Sequence, residues 1–251
     1  MLKESNKAEL FHLGFSPEIK GDYAILPGDP GRVDKIAKYL ENPTLIAHKR
    51  EYRTVLGEIG GKKVFVCSTG IGGPSTAIAV EELIQAGVTT FIRIGTCGGI
   101  SLDVDGGDIV IATSAVRQEG TSLHYAPIEF PATADFSVVS ALNEASKKFD
   151  KKVHIGIVQA KDSFYGQHSP ETSPVSEELC EKWSAWKRLG VLASEMEGAT
   201  LFTVASARGV KAGMVLSAVW NQERHAKGLD CKEIMDTETA CKIAVEAIKY
   251  L

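Results

Sequence analysis

The sequence has no long apolar run and no large block of basic residues. No stretch approaches the roughly 20 apolar residues that a membrane helix needs, and the first residues are polar. Basic residues occur in runs no longer than KK or HKR, and 28 Lys and Arg against 32 Asp and Glu give a formal net charge of -4. We therefore expect no membrane and no nucleic-acid partner, and we expect a cytoplasmic protein.

Cysteine and histidine are few and widely spaced. The five cysteines include no CxxC pair, and the six histidines show neither HExxH nor HxxxH spacing. This usage is typical of free thiols in a reducing compartment, and it argues against a disulfide framework, a zinc site or another transition-metal centre. Internal repeats and Pro/Ser-rich linkers are also absent, so we predict one domain over residues 1–251.

The sequence does contain an alternation of apolar, β-rich runs with amphipathic helical patterns. "YAILPG" precedes "RVDKIAKYL", in which Val33, Ile36 and Leu40 recur at helical spacing, and similar pairs follow along the chain. Strands that alternate with helices predict a largely parallel sheet with helices on both faces. Ligands of such sheets bind at the carboxyl edge of the strands, so the loops at that edge form the candidate site. One of them, segment 166–176, is predicted to be a flexible loop.

Two arginines and two glycine-rich turns suit the binding of a small anion. In "LPGDPGRV", Gly28 lets backbone N–H groups approach an anion, and Arg32 lies in the first turn of the following helix. Arg93 lies inside the apolar run "FIRIGT", so it needs an anionic partner, which is either a ligand or an acidic side chain. The loop "STGIGGPS" has neither the GK[ST] ending of a Walker loop nor the full GxGxxG fingerprint. We therefore predict that the anion is free phosphate.

Acidic and aromatic loops follow two later strands. "ASEMEGAT" places Met196 between two carboxylates, one of which can accept hydrogen bonds from sugar hydroxyls; the alternative is an acidic cluster that stabilises a helix N-terminus. "KDSFYGQHS" offers the ring of Phe164 for stacking and Gln167 for an amide edge, although its aromatic residues can equally belong to the core. Lys161 and His168 are further polar groups in this segment.

Five motifs, in order along the chain, resemble the nucleoside phosphorylase superfamily, of the uridine phosphorylase and hexameric purine nucleoside phosphorylase type. They are "PGDPGRV" (27–33), "CSTGIGGPSTAIAVEEL" (67–83), "RIGT" (93–96), "SLHYAPIEFPATADF" (122–136) and "EMEGATL" (195–201). The likeness runs from "FHLG" at residue 11 to the final helix, and it is closest to bacterial uridine phosphorylases. It implies an α/β fold: a single-domain, three-layer α/β/α structure with a mixed central sheet. It also implies reversible phosphorolysis of uridine to uracil and ribose 1-phosphate in pyrimidine salvage, with phosphate as co-substrate and no required cofactor.

The resemblance further implies a role for each matching residue, with some residues supplied by a neighbouring subunit. Phosphate is expected to be bound by Gly28, Arg32, Arg50, Arg93 and Thr96, with Arg50 coming from the neighbour. The ribose is expected to be bound by His12, Thr96, Met196 and Glu197, with His12 also from the neighbour. The base is expected to be bound by Lys161, Phe164, Gln167, His168 and Gln222. The residues implied to be catalytic are Arg93, Glu197, Gln167 and His168. Positions that hold a potassium ion between subunits in some relatives correspond to Glu51, Ile71 and Ser75. We therefore expect a homo-oligomer, namely a hexamer built as a trimer of dimers.

One departure from the family pattern bears on the base. Uridine phosphorylases read uracil with two arginines, and the matching positions here hold Ser169 and Gln222. Lys161 and His168 are the candidates for the missing donors, and Arg224 is another if the strand end shifts by two residues.

A second departure favours a pyrimidine over a purine. The hexameric purine enzymes protonate the base with an aspartate on the last strand, and the corresponding stretch here offers Asn221, which cannot transfer a proton. The alternatives are a purine nucleoside phosphorylase, a nucleosidase that uses water and a dinucleotide-binding regulator without catalysis.

Overall fold

The computed structural model describes residues 9–251, which form ten strands, eight α-helices and three short 3₁₀ helices. The strands are β1 (Tyr23–Pro27), β2 (Glu41–Lys49), β3 (Tyr52–Ile59), β4 (Lys62–Cys67), β5 (Thr90–Gly99), β6 (Ile109–Gln118), β7 (Ala132–Thr133), β8 (Val153–Lys161), β9 (Ala193–Glu195) and β10 (Lys211–Asn221). The helices are α1 (Pro30–Ala37), α2 (Gly73–Gln85), α3 (Phe136–Ser146), α4 (Phe164–His168), α5 (Ser176–Arg188), α6 (Gly198–Arg208), α7 (Gln222–Ala226) and α8 (Glu238–Ala247). None of the helices in this part of the chain is both long enough and apolar enough to cross a bilayer.

Local features of the sequence explain where two of the helices begin or end. The Asp29 side chain accepts a hydrogen bond from the Gly31 N–H at 2.8 Å and so caps α1, whose first residue, Pro30, has no N–H to satisfy. A different helix, α6, ends just before Gly209, which has a left-handed φ of 67° that a residue with a Cβ adopts only with strain. These caps fix where the β1–α1 loop and the α6 helix meet the strands.

All ten strands join one sheet that is mixed in direction. Its order is β10-β6-β8-β9-β5-β1-β4-β3-β2, with β7 beside β6. β1 pairs in parallel with β4 and β5, whereas β2, β3 and β4 form an antiparallel meander. β10 pairs with both β6 and β5, so five strands (β5, β10, β6, β8 and β9) close into a ring. The mixed α/β fold implied by the resemblance is confirmed, and the largely parallel sheet expected from the alternation alone is corrected.

Helices cover both faces of the sheet because successive strand residues point to opposite sides. In β1, Ala24 and Leu26 pack in one apolar cluster with α2 and α6, while Ile25 packs in a second cluster with α1, α3 and α8. Phe65 and Val66 of β4 divide between the two clusters in the same way. The two cores place the sheet in the middle layer, as the three-layer expectation requires.

Two regions differ from the sequence-based expectation. The β2–β3 hairpin was not predicted, because β2 is mostly exposed and carries no alternating apolar pattern. Segment 166–176, expected to be a flexible loop, contains the end of α4, a 3₁₀ turn at Pro170–Thr172 and the start of α5. Ser163 caps α4 by accepting the Gly166 N–H at 2.9 Å, which orders this polar stretch locally.

Candidate active site

A cavity of about 1100 Å³ lies at the carboxyl edge of the sheet. Its wall is made by segments that follow or end β1, β4, β5, β8, β9 and β10, and by α4. Because β1, β4, β5 and β10 run in parallel, their carboxyl ends meet at this edge. Loops far apart in the sequence therefore come together around one space.

The structure brings most of the predicted site residues to this cavity. Its lining includes Gly28, Arg32, Ile71, Arg93, Thr96, Lys161, Phe164, Gln167, His168, Met196 and Glu197. The predicted residues outside its lining are His12, Arg50, Glu51, Ser75 and Gln222. Gln222 nevertheless contacts the site, because its side-chain oxygen accepts a hydrogen bond from Gln167 at 3.2 Å.

Arg93 is the buried cation of the cavity wall. Its Nη2 donates to Glu197, and its Nε lies 3.6 Å from a carboxylate oxygen of Glu195. The Nη1 atom is buried and has no hydrogen-bond partner among residues 9–251. The sequence left open whether an acid or a ligand balances this charge. The structure supplies the acids, and it also leaves two guanidinium nitrogens, Nε and Nη1, without a hydrogen-bond partner in the described chain.

Gly28 and Arg32 bound the same part of the cavity from the β1–α1 loop. A Cβ placed on Gly28 would lie 3.1 Å from the Gly70 carbonyl oxygen, which is a tight contact, and 3.8 Å from Nη2 of Arg93, so a side chain here would press on the Gly70 backbone and occupy space next to the guanidinium. Arg32 is half-buried, and its guanidinium has no protein hydrogen-bond partner within the described chain. Thr96, near the end of β5, adds a half-buried hydroxyl group. Two guanidinium groups thus face a space that glycine keeps open.

The glycine loop after β4 holds an acidic side chain of the site. Gly70 and Gly72 have φ values of 70° and 94°, which glycine adopts readily. This conformation lets the Gly72 N–H donate to Glu197 Oε1 at 2.6 Å, just before α2 begins. The loop therefore positions Glu197 beside Arg93. Its Gly72 N–H binds a side chain of the protein, which is consistent with the absence of the full GxGxxG fingerprint of dinucleotide-binding loops.

The carboxylate of Glu195 is fully enclosed next to Glu197. It accepts the backbone N–H groups of Glu197 and Gly198, both at 2.8 Å, and so caps the start of α6. Burial, and then the neighbouring charge of Glu197, raise the pKa of Glu195 to about 7 despite the opposing effect of Arg93. One of the two acids is therefore close to protonation at neutral pH, which reduces the negative charge that an anionic ligand meets.

The raised pKa of Glu195 gives a testable dependence of stability on pH. A carboxyl group whose pKa is higher in the folded state contributes stability that is fully present below its unfolded pKa of about 4.5 and is lost as pH rises through about 7. We expect the free energy of unfolding to lose a few kcal/mol from this group over that window. In Glu195→Gln the decline should be flatter, measured by urea unfolding between pH 4.5 and 7.5. The exposed Glu171→Gln is the control, and parallel curves for Glu195→Gln and the unaltered protein would contradict the assignment.

Where α4 meets the cavity, four polar side chains form a hydrogen-bonded row. Lys161 Nζ lies 2.6 Å from Ser194 Oγ, Ser194 Oγ lies 2.6 Å from Gln167 Oε1, and Gln167 Nε2 lies 3.2 Å from Gln222 Oε1. Lys161 and Ser194 are buried. Behind this row lies a second cavity of about 420 Å³, whose lining includes Lys161, Gln167 and Gln222. The row is therefore a polar partition between two spaces.

An aromatic surface stands beside this row. The ring of Phe164 is half-exposed, its centroid lies 4.3 Å from that of His168, and Lys161 Nζ is 6.0 Å away from it. Burial lowers the pKa of Lys161 to about 8, so its ammonium is the main form at pH 7. Burial and the charge of Lys161 lower the pKa of His168, which leaves that imidazole mostly neutral at pH 7. A flat, polar ring would meet a stacking face and a set of donors here.

Two side chains at or just after the end of β10, Asn221 and Arg224, hold the backbone in place and do not face the ligand cavity. Arg224, a candidate base donor, is turned away: its guanidinium donates to the carbonyls of Leu102 and Asp230, both at 2.7 Å, and it does not line the cavity. That candidate is wrong. Asn221 is fully buried, donates to the Ser101 carbonyl at 2.7 Å and caps α7 with its side-chain oxygen.

Sequence reasoning missed several residues that line the cavity. They are Gly70, Cys97, Gly98, Ser194, Val219, Trp220, Glu233 and Met235. Ser194 belongs to the segment "ASEMEGAT", but a single serine there does not by itself indicate a site. Glu233 and Met235 lie in the irregular segment between α7 and α8, where no motif or periodicity indicates a site.

This geometry defines an α/β protein whose carboxyl-edge cavity offers guanidinium groups that suit a small anion, and a ring and polar side chains that suit a planar polar ring. The profile of the Phosphorylase superfamily matches residues 22–249 of the chain. The chain is 52% identical over 241 residues to the uridine phosphorylase of Treponema pallidum (strain Nichols), covering 96% of this chain and 93% of the relative. It is 43% identical over 258 residues to the uridine phosphorylase of Escherichia coli (strain K12), covering 98% and 99%. It is also 38% identical over 237 residues to the guanosine phosphorylase of Halorubrum lacusprofundi, covering 92% and 94%. The chain belongs to the Phosphorylase superfamily.

Proposed function

We propose that this protein is a pentosyltransferase that catalyses the reversible phosphorolysis of uridine to uracil and ribose 1-phosphate. The observation that carries the proposal is the guanidinium of Arg93, which keeps an unpartnered buried nitrogen in a cavity shared with Arg32. Paired guanidinium groups suit a dianion, and an enzyme that uses water has no need of them. The relatives named uridine phosphorylase, similar over nearly the whole chain, support uridine as the nucleoside.

The proposed arrangement places phosphate at one end of the cavity and the base at the other. Phosphate is bound by the two guanidinium groups, the Thr96 hydroxyl and the backbone at Gly28. The ribose lies between, against Met196, with its hydroxyls donating to Glu197. The base stacks on Phe164, and its polar edge meets Gln167, with Gln222 behind it and the donors Lys161 and His168 alongside.

In the proposed reaction the bond between the sugar C1′ and the base N1 breaks, and its electron pair leaves with the base. Positive charge develops at C1′, as in other glycosyl transfers, and the phosphate oxygen forms the new bond there. The leaving uracil carries negative charge on its ring, which the buried ammonium of Lys161 stabilises, until N1 takes up the proton that the attacking hydrogen phosphate releases. Catalysis comes from positioning and electrostatics, without a covalent enzyme intermediate.

The test is an ultraviolet assay of uridine, thymidine and inosine, each with and without phosphate. Cleavage of uridine that requires phosphate and yields ribose 1-phosphate is the expected result. Cleavage that proceeds equally without phosphate would identify a nucleosidase and overturn the proposal.

A second candidate is a purine nucleoside phosphorylase of the same fold. The guanosine phosphorylase among the relatives favours it, as does the replacement of two uracil-reading arginines by Ser169 and Gln222. In the same assay, this candidate predicts that inosine is cleaved faster than uridine.

We also propose that the active site is completed by a neighbouring copy of the chain, within a hexamer built as a trimer of dimers. His12 and Arg50 both lie outside the lining of their own chain's cavity. Arg50 is exposed at the turn between β2 and β3, and the His12 ring is held 2.7 Å from Glu82. The exposed Arg50 and the partly exposed edge of the His12 ring can therefore reach a second subunit.

A potassium ion at this subunit contact is a further proposal. Glu51 and Ser75 approach one point: a Cβ built on Gly70 would lie 3.0 Å from Glu51 Cγ and 3.5 Å from Ser75 Oγ. Ser75 Oγ is 3.3 Å from the Ile71 carbonyl oxygen, so carboxylate, hydroxyl and carbonyl oxygens are all close by, and oxygen ligands suit such a cation.

We propose a cytoplasmic role in pyrimidine salvage, which the five free cysteines support.

A further inference from the structure

We infer that Ser194 is a positioning residue that sets which way the Gln167 amide faces and thereby makes the site discriminate uracil from cytosine. The inference rests on the proposed function, since it assumes that the base edge meets Gln167. No sequence motif assigns a role to Ser194, and its importance follows from the direction of three hydrogen bonds.

The direction of this row is fixed at its Lys161 end. A lysine ammonium has only donors, so the Ser194 oxygen must accept from it. The single hydroxyl proton of Ser194 is then free to point at Gln167, and the atom that it meets must be the amide oxygen. The amide nitrogen of Gln167 consequently faces Gln222 and donates to its oxygen.

This orientation gives the base a surface of donors. One N–H of Gln167 is used by Gln222, and the other remains for the ligand. The ammonium of Lys161, which also lines the main cavity, adds donors beside this N–H, whereas Gln222 lines only the second cavity and acts through Gln167. Carbonyl oxygens of uracil match such a surface. The exocyclic amino group of cytosine, itself a donor, meets it unfavourably.

Packing does not hold the Gln167 amide in this orientation. The side chain separates the main cavity from the second cavity of about 420 Å³, so there is room on both sides for the amide to turn over. The hydroxyl of Ser194 is the contact that opposes this rotation, because Gln222 can present either its oxygen or its nitrogen. Loss of the hydroxyl should therefore change selectivity more than it changes the fold.

The burial of Lys161 and Ser194 supports the direction assigned to the hydrogen bond between them. Lys161 and Ser194 are 6% and 3% exposed, so bulk water does not compete for these hydrogen bonds. The charged and titratable groups around the ammonium are Glu195, Glu197, Cys97 and His168. The two carboxylates favour the ammonium form, on which the direction of the row depends.

The experiment compares Ser194→Ala and Ser194→Thr with the unaltered enzyme. The readouts are kcat and KM for uridine and the inhibition constants of free uracil and free cytosine. Ser146→Ala is the matched control, because Ser146 is equally buried at 3% exposure and makes one 2.8 Å hydrogen bond in α3, away from the cavity.

We expect Ser194→Ala to weaken uracil binding about tenfold while cytosine changes less than about threefold, with the loss for uridine mainly in KM. Ser194→Thr, which keeps the hydroxyl, should restore the discrimination, and Ser146→Ala should leave it intact. An unchanged uracil-to-cytosine ratio in Ser194→Ala, or an equal weakening of both bases, would overturn the inference. Absence of phosphate-dependent uridine cleavage in the unaltered enzyme would instead overturn the proposed function.

Discussion

Replacing Arg93 by alanine is expected to lower kcat/KM for uridine phosphorolysis by about a thousandfold, or about 4 kcal/mol of transition-state stabilisation. The guanidinium contributes in two ways. It donates to Glu197, which we assign to the ribose, and it carries positive charge and two nitrogens without a partner in the described chain, which we assign to the phosphate that captures the sugar carbon. The change should appear both in kcat and in the KM for phosphate, measured at saturating uridine.

Two further variants separate this effect from a loss of folding. Arg93→Lys keeps the positive charge but not the planar fork of donors that spans Glu195, Glu197 and an anion, so we expect a loss of about a hundredfold. Arg53→Ala is the surface control, because Arg53 donates to Asp34 at 2.9 Å outside the cavity and should keep near-normal activity. Near-normal phosphorolysis by folded Arg93→Ala would mean that phosphate is bound elsewhere.

The role of Arg93 shows what the sequence can predict well. A charged residue between Ile92 and Ile94 must be buried if the run is a strand, and burial demands a negative partner. The structure confirms the strand and the burial. The same reasoning from strand to loop to helix predicted the sheet edge at which most site residues meet.

Partners far apart in the sequence could not be predicted from it. The contacts that join Lys161, Ser194, Gln167 and Gln222 link the ends of β8 and β9 with α4 and α7, and no local pattern encodes such pairings. The ring of five strands depends on β10 pairing with both β5 and β6, which is likewise a property of the whole fold. Arg224 was a reasonable donor by position, but nearby backbone carbonyls capture its guanidinium.

The second large effect is expected for Glu197→Gln, which should lower kcat/KM for uridine by about a hundredfold. The two carboxylate oxygens of Glu197 face two donors, the Gly72 N–H at 2.6 Å and the Arg93 guanidinium. A glutamine has one oxygen and one NH₂ group, so one of these contacts becomes donor against donor whichever way the amide turns. The variant also removes the charge that balances Arg93 and the acceptor that we assign to the ribose hydroxyls.

The matched control for this change is Glu119→Gln. Glu119 is also buried, but only one of its oxygens has partners, the Ser122 N–H at 2.9 Å and the Thr200 hydroxyl at 2.8 Å. Its amide can therefore turn its oxygen to both donors without conflict, and because Glu119 lies outside the cavity lining, activity should stay within about threefold. Steady-state kinetics with uridine and 2′-deoxyuridine check the assignment. The deoxy substrate lacks the 2′-hydroxyl that would donate to Glu197, so its kcat/KM should fall less in Glu197→Gln than that of uridine. Equal losses for the two substrates would contradict a contact between Glu197 and the 2′-hydroxyl.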